Sequence, residues 1–259
     1  MYGQMEVNMA MDRVGVTVYT MNAVHRRGPV FYASLPCKQH NTASNNGHAL
    51  NEEEGRYHLL STLWDHVATM ESPRWKRCQY SSRAALQIQV TRGLLGRPHL
   101  LLGGYEGPSV SFSECGGNVW AALCGDESDI GIDVAGTDEF RIEYPIHRVF
   151  HPEELCLALR LVDGDLGNSS ALLWSVKEAV VKALGCAFHL VDPLQITIYP
   201  SEEGDTEEDA GYTFAVGLSG KALRRFPVAG HGSLWVRSLP QRKMWLSIAL
   251  LNRRSTDRE

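Results

Sequence analysis

The sequence predicts a mixed α+β (α/β) chain whose two halves share one layout, and three observations carry that prediction. Short β-branched runs and helical stretches follow in the order strand, helices, strands, helices, strands. With 44% hydrophobic and 21% charged residues over 259 positions, the chain has an ordinary globular balance and enough length for two moderate cores. Its breaks fall at Gly, Asn and Asp clusters, and no long low-complexity tract interrupts them. The expected division is residues 1–50 as an N-terminal extension with a first strand and a flexible loop, 51–135 as a first subdomain and 136–259 as a second.

The elements follow in order. Val14 to Thr20 (VGVTVYT) reads as a strand and the residues after it as a loop, with Gln39 to Gly47 the most turn-forming stretch. Asn51 stands as an N-cap before Glu52, Glu53 and Glu54, and Leu59, Leu60, Leu63, Trp64 and Val67 give the helix its apolar face. A second helical stretch is expected from Ser72-Pro73 toward Leu95. It holds Arg74, Lys76, Arg77, Arg83 and Arg92, with Arg97 just beyond and no acidic residue. Ser109 to Phe112, Val119 to Leu123 and Ile130 to Val134 read as strands, and His151-Pro-Glu-Glu opens a helix. A further helix is expected over Ala171 to Leu184, capped by Asn168 or Ser169 and stopped by Gly185. Leu194 to Tyr199, Tyr212 to Leu218, Ser233 to Ser238 and Met244 to Leu251 complete the strands, and the acidic run Glu202 to Asp209 reads as a solvated hairpin loop.

Composition narrows the function. No apolar run approaches the ~18 residues of a membrane span, and Glu6 and Asp12 interrupt any secretory h-region, so neither membrane insertion nor export is expected. Six scattered cysteines with no C-x-x-C suit reduced, buried thiols in a cytoplasm better than disulfides or zinc. A net charge of −5 argues against a general nucleic-acid binder.

Two segments carry chemistry. On the helix over 171–184, Ser175, Glu178 and Lys182 fall on one face, while Lys177 points about 100° away from Glu178, toward a rim or to no catalytic task. On the strand Ile130-Gly-Ile-Asp-Val-Ala135, the pleat sets Gly131, Asp133 and Ala135 opposite the three branched aliphatics. Asp133 is thus displayed beside a glycine expected to leave room for a ligand. Taken singly, Glu178 and Lys182 read more readily as a helix-surface ion pair, and Asp133 equally well as a strand-end turn acceptor.

Together, IGIDVA and the later LWSVKEAVVKALG resemble the paired signature of the 4′-phosphopantetheinyl transferases, of the type that activates surfactin synthetase. Gly131, Ile132 and Asp133 match the first half; Trp174, Ser175, Lys177, Glu178, Ala179 and Lys182 match the second. The likeness is read from Ser72 to Leu251. It implies two similar subdomains related by a pseudo-twofold in a monomer, with coenzyme A in the cleft between them. The implied reaction moves the 4′-phosphopantetheine group from coenzyme A to a serine of an apo acyl or peptidyl carrier protein, releasing adenosine 3′,5′-bisphosphate. By the same resemblance Asp133 and Glu178 hold Mg²⁺, Glu178 takes the serine proton, and Lys182 steadies the diphosphate. Lys76, Arg77 and Arg83 meet the 3′-phosphate, Arg97 and Pro98 lie near the adenine, and Ser113 is a further coenzyme contact. Asp133 is expected from the first half and Glu178 from the second.

Two departures stand out. Ala135 occupies a position where the family often has a second carboxylate, and Glu114 replaces a phosphate-contacting histidine, where it repels a phosphate unless Arg83 or Arg97 pairs with it or it turns toward the metal. They motivate an alternative, a catalytically silent relative that binds coenzyme A or a carrier protein. A nucleotide-binding scaffold unrelated to the family is the third reading. The sequence does not select among carriers for fatty-acid, polyketide or nonribosomal peptide synthesis or for lysine metabolism.

Overall fold

The β-branched runs pair into antiparallel sheets in the computed structural model, which describes residues 10–11, 16–21, 29–37, 50–68, 87–124, 128–140, 145–201, 211–229 and 233–252. The chain divides into two units after Glu127. The first holds β1 (Ala10–Met11), β2 (Thr17–Met21), β3 (Val30–Pro36), α1 (Glu52–Val67), β4 (Ile88–Arg92), β5 (Pro98–Leu102), β6 (Tyr105–Glu106), β7 (Val110–Cys115) and β8 (Asn118–Cys124). Its main sheet has the order β1-β2-β3-β8-β7, and β4-β5-β6 form a small sheet of their own.

The expected cap of α1 is present as a capping box: Asn51 Oδ1 accepts from Glu54 N at 2.9 Å and Glu54 Oε2 accepts from Asn51 N at 3.0 Å. The apolar face of α1 then packs Leu59, Leu60, Leu63 and Trp64 against Phe31, Ala33, Val119, Ala121 and Leu123. Two expectations change here. Val30–Pro36, read as loop, is a central strand; nearly every residue is buried, so it lacks the alternation that marks a half-solvated strand. Ile88–Arg92, read as the end of a helix, is a strand paired with β5. Residues 93–95 are a turn leading into β5, and residues 72–86 of that expected helix and the loop at 39–47 lie outside the described residues.

The second unit holds β9 (Asp129–Gly136), α2 (Pro152–Leu161), α3 (Leu166–Ala183), β10 (Ile196–Pro200), β11 (Tyr212–Leu218), α4 (Gly220–Arg225), β12 (Leu234–Gln241) and β13 (Met244–Leu251). Its sheet runs β10-β11-β12-β13-β9. Ala171, Leu172, Val176, Ala179 and Val180 of α3 share a core with Ala135, Phe214, Val236 and Ala249 of the sheet. The expected boundary after residue 135 would have placed β9 in the first half. Instead β9 pairs with β13 along its whole length, from Asp129↔Leu251 to Gly136↔Met244. Local pattern identified the strand, but only a partner more than a hundred residues away decides its sheet.

Helix α3 begins earlier than expected. Asp165, not Asn168 or Ser169, is the N-cap, its Oδ1 accepting from Asn168 N at 2.7 Å. Gly185, at φ +74°, closes the other end as a left-handed residue should. Helix α4 escaped the sequence reading because six residues are too few to show a period. Of the described cysteines all are free; Cys124 and Cys186 are buried as expected, but Cys37 and Cys115 are only partly so and Cys156 is exposed. Among the described residues no helix is long and apolar enough to cross a membrane.

Candidate functional site

Gly131 sets the geometry, though not in the way the sequence suggested. A Cβ on Gly131 would lie 1.9 Å from Ala179 O and 2.5 Å from Ala183 N, so the missing side chain admits the backbone of α3, not a ligand. The helix lies tight against β9, and this brings Glu178 and Lys182, each one residue ahead of those contacts, to the Asp133 end of the strand. Lys182 Nζ donates to Asp133 Oδ1 at 2.7 Å and to Ile132 O at 3.1 Å.

Glu178 completes the cluster. Burial, reinforced by the nearby negative charge of Asp133 and opposed by Lys182, pushes its carboxyl from 4.5 up to about 7. Two carboxylates and one ammonium therefore share a partly closed site within the second unit, with Asp133 itself buried. The expectation that Asp133 and Glu178 come from different halves is corrected: both belong to the unit that starts at Ser128. Asp133 also faces Ser247 directly across the β9–β13 ladder. Ser247 Oγ lies 2.7 Å from Ser175 Oγ and 2.7 Å from Ser238 Oγ, a buried hydroxyl chain that fastens α3 to the sheet beside the carboxylate.

The remaining motif residues hold the helix in place. Trp174 packs its ring against Phe188, at 5.0 Å between centroids, and Phe140, at 6.3 Å. Ser175 turns inward instead of sharing the open face expected for it. Lys177 is not on a rim: it is fully buried and ion-paired with Glu154 at 2.8 Å. Ala135 is 1% exposed and sits in the apolar core, so it contributes no ligand.

The other proposed coenzyme contacts belong to the first unit. Arg97 and Pro98 leave the β4–β5 turn, with Arg97 donating to Ser109 Oγ at 3.1 Å, and Ser113 is buried on β7. Glu114 is paired by Arg56, a residue the sequence did not single out, while Arg97, one of its two expected partners, donates to Ser109 and the other, Arg83, lies outside the described residues. Arg56 also meets Glu52 and lies 5.6 Å from the Phe112 ring centroid. Lys76, Arg77 and Arg83 lie outside the described residues. Glu154, Ser238 and Ser247 were missed as well. A capping-box pattern, His151 to Glu154, was the one local signal available for Glu154.

The cluster and its strand fall inside a segment that resembles known proteins. Residues 129–221 match the family model of the 4′-phosphopantetheinyl transferase superfamily. That superfamily match opens at the first residue of β9 and closes within α4, so it spans Asp133, Glu178 and Lys182. It lies within the second unit and stops before β12 and β13, whereas the likeness expected from the sequence runs from Ser72 to Leu251. Among solved structures, the chain is similar to a holo-ACP-synthase from Plasmodium yoelii, with 20% identity and a TM-score of 0.37 over 48% of this chain and 92% of that one. It is also similar to an ACPS–CoA complex from Chronobacterium ammoniagenes, with 20% identity and a TM-score of 0.37 over 49% and 98%. No curated protein matches the chain.

Proposed function

We propose that the chain is a 4′-phosphopantetheinyl transferase of the surfactin-synthetase-activating type, moving the phosphopantetheine arm of coenzyme A onto a serine of an apo carrier protein. The observation that carries this reading is the meeting of Asp133, Glu178 and Lys182 on β9 and α3, inside the segment that matches the superfamily.

The donor set fits a hard divalent cation. Two carboxylate side chains offer oxygen ligands, and the burial and, after it, the Asp133 charge that disfavour an ionised Glu178 are what a bound cation would offset. Asp133 and Glu178 would hold Mg²⁺, which when bound neutralises the diphosphate and the charge that grows on the leaving group. Lys182, within reach of Asp133, supplies a point charge to the same diphosphate.

Glu178 would accept the proton of the carrier serine, its burial and the Asp133 charge making it a stronger base than an ordinary carboxylate. The serine Oγ then bonds to the phosphorus that bears the pantetheine arm. The P–O bond to the second phosphate breaks, and the electron pair leaves with adenosine 3′,5′-bisphosphate. Lys76, Arg77, Arg83, Arg97, Pro98 and Ser113 remain the proposed coenzyme contacts, and a cytoplasmic monomer built of two pseudo-twofold-related subdomains remains the proposed form.

The test is to incubate the chain with Mg²⁺, coenzyme A and a panel of apo carriers for fatty-acid, polyketide and peptide synthesis, and to weigh the carriers. A gain of one phosphopantetheine mass is the expected result. The second reading, a silent binder of coenzyme A or carrier, is favoured by the burial of Ala135 in the core, which leaves two carboxylates where the family often has three. It predicts no mass gain on any carrier together with retained coenzyme A binding.

A further inference from the structure

The side chain next to Glu178 is among the largest fully buried ones, and it is a lysine. Lys177 Nζ donates to Glu154 Oε2 at 2.8 Å, to Val149 O at 2.9 Å and to Pro193 O at 2.9 Å. An ammonium has three protons to give, and all three are used. The same nitrogen lies 5.7 Å from the Phe150 ring centroid. Glu154 is equally committed: Oε2 also accepts from His151 N at 2.9 Å, and Oε1 accepts from Ile198 N at 2.9 Å. His151 Nε2 in turn lies 2.8 Å from Leu194 O.

One ion pair thus ties α3 to the 149–154 segment, to the turn at 193–195 and to the edge of β10. On its other side α3 is fixed by the Gly131 contact and the Ser175–Ser247 hydrogen bond. These anchors surround Glu178 on the helix wheel. A roll of ~20° about the helix axis would carry a side-chain tip ~6 Å from that axis by ~2 Å. A misplacement of about 1 Å is enough to cost ~10²-fold in rate. Stability alone does not call for a charge here, since apolar residues of similar volume often serve a buried site as well as an ion pair.

The geometry points to Lys177 as a positioning residue that, through Glu154, holds α3 in the rotation presenting Glu178 beside Asp133. The proposal rests on the transferase reading of that site and adds to it a residue that touches neither coenzyme nor carrier.

The test compares the full-length wild type with Lys177→Met and with the double variant Lys177→Met/Glu154→Met. Each is checked for folding by circular dichroism, for Mn²⁺ affinity by electron paramagnetic resonance, and for transfer by carrier mass. Folded Lys177→Met is expected to bind Mn²⁺ at least ~5-fold more weakly and to lose at least ~10-fold in kcat, with KM for coenzyme A within ~2-fold. Should Lys177→Met fail to fold, the double variant decides, because it leaves no unpaired buried charge; it is expected to regain the fold but neither Mn²⁺ affinity nor kcat. Wild-type affinity and kcat in either folded variant would overturn the proposal and reduce the pair to a fold element. A wild type that binds no Mn²⁺ and modifies no carrier overturns the transferase reading instead, together with the site Lys177 is said to position.

Discussion

Glu178 joins burial, a neighbouring carboxylate and an ammonium one helical turn away, and its titration follows from the balance of the three. Because its folded value of about 7 lies above the ordinary 4.5, the fold favours the protonated form. Its contribution to stability is therefore full below pH 4.5 and is lost as pH rises through 7, by at most about 3 kcal/mol. Urea midpoints in the presence of a chelator should fall between pH 4.5 and pH 7.5 for the wild type. Glu178→Gln should remove that part of the slope, and an unchanged slope would place the titration elsewhere. In the carrier mass assay, Glu178→Gln and Asp133→Ala should each reduce transfer at least ~10²-fold, since each removes a charge from a site that works electrostatically. Equal rates in either variant would sink the assignment.

At the scale of elements, the contact between α3 and β9 sets the site. Gly131→Ala puts a methyl into the helix backbone at Ala179, where no rotamer can move aside. Overpacking of a closed interface costs about 1–3 kcal/mol, and a backbone obstacle takes it to the upper end or beyond. The denaturation midpoint should drop accordingly, and a variant as stable as the wild type would show that the helix does not lie so close. Asp165→Ala removes the N-cap of α3 at the far end from the site and should cost about 1 kcal/mol while leaving kcat unchanged. The two variants separate helix placement from helix stability.

For the whole molecule, the proposed form is a monomer, for which light scattering should return a mass near 28.8 kDa across the concentrations used in the assay. An assembly that dissociates together with activity would mean that the site needs a second copy. The division after Glu127 also matters at this scale. The carboxylates and Lys182 lie wholly in the second unit, whereas Arg97, Pro98 and Ser113 lie in the first. Substitutions there should act on KM for coenzyme A and leave Mn²⁺ affinity within ~2-fold, as expected of binding groups that do not share the metal site.

What the sequence determined by itself was local. The capping box of α1, the extent of most strands, the Gly185 stop and the facing pair Glu178 and Lys182 follow from neighbours within a few residues, whose spacing a single strand or helix turn fixes. Asp133 was legible for the same reason, as a carboxylate on a pleat beside a glycine. Tertiary structure alone decided that β9 joins β13, that Gly131 makes room for a helix, that Val30–Pro36 is buried on both faces, and that Lys177 turns inward to Glu154. Each of these depends on a partner distant in the chain, and a side chain's residue type is the same whether its charge meets water or another buried charge.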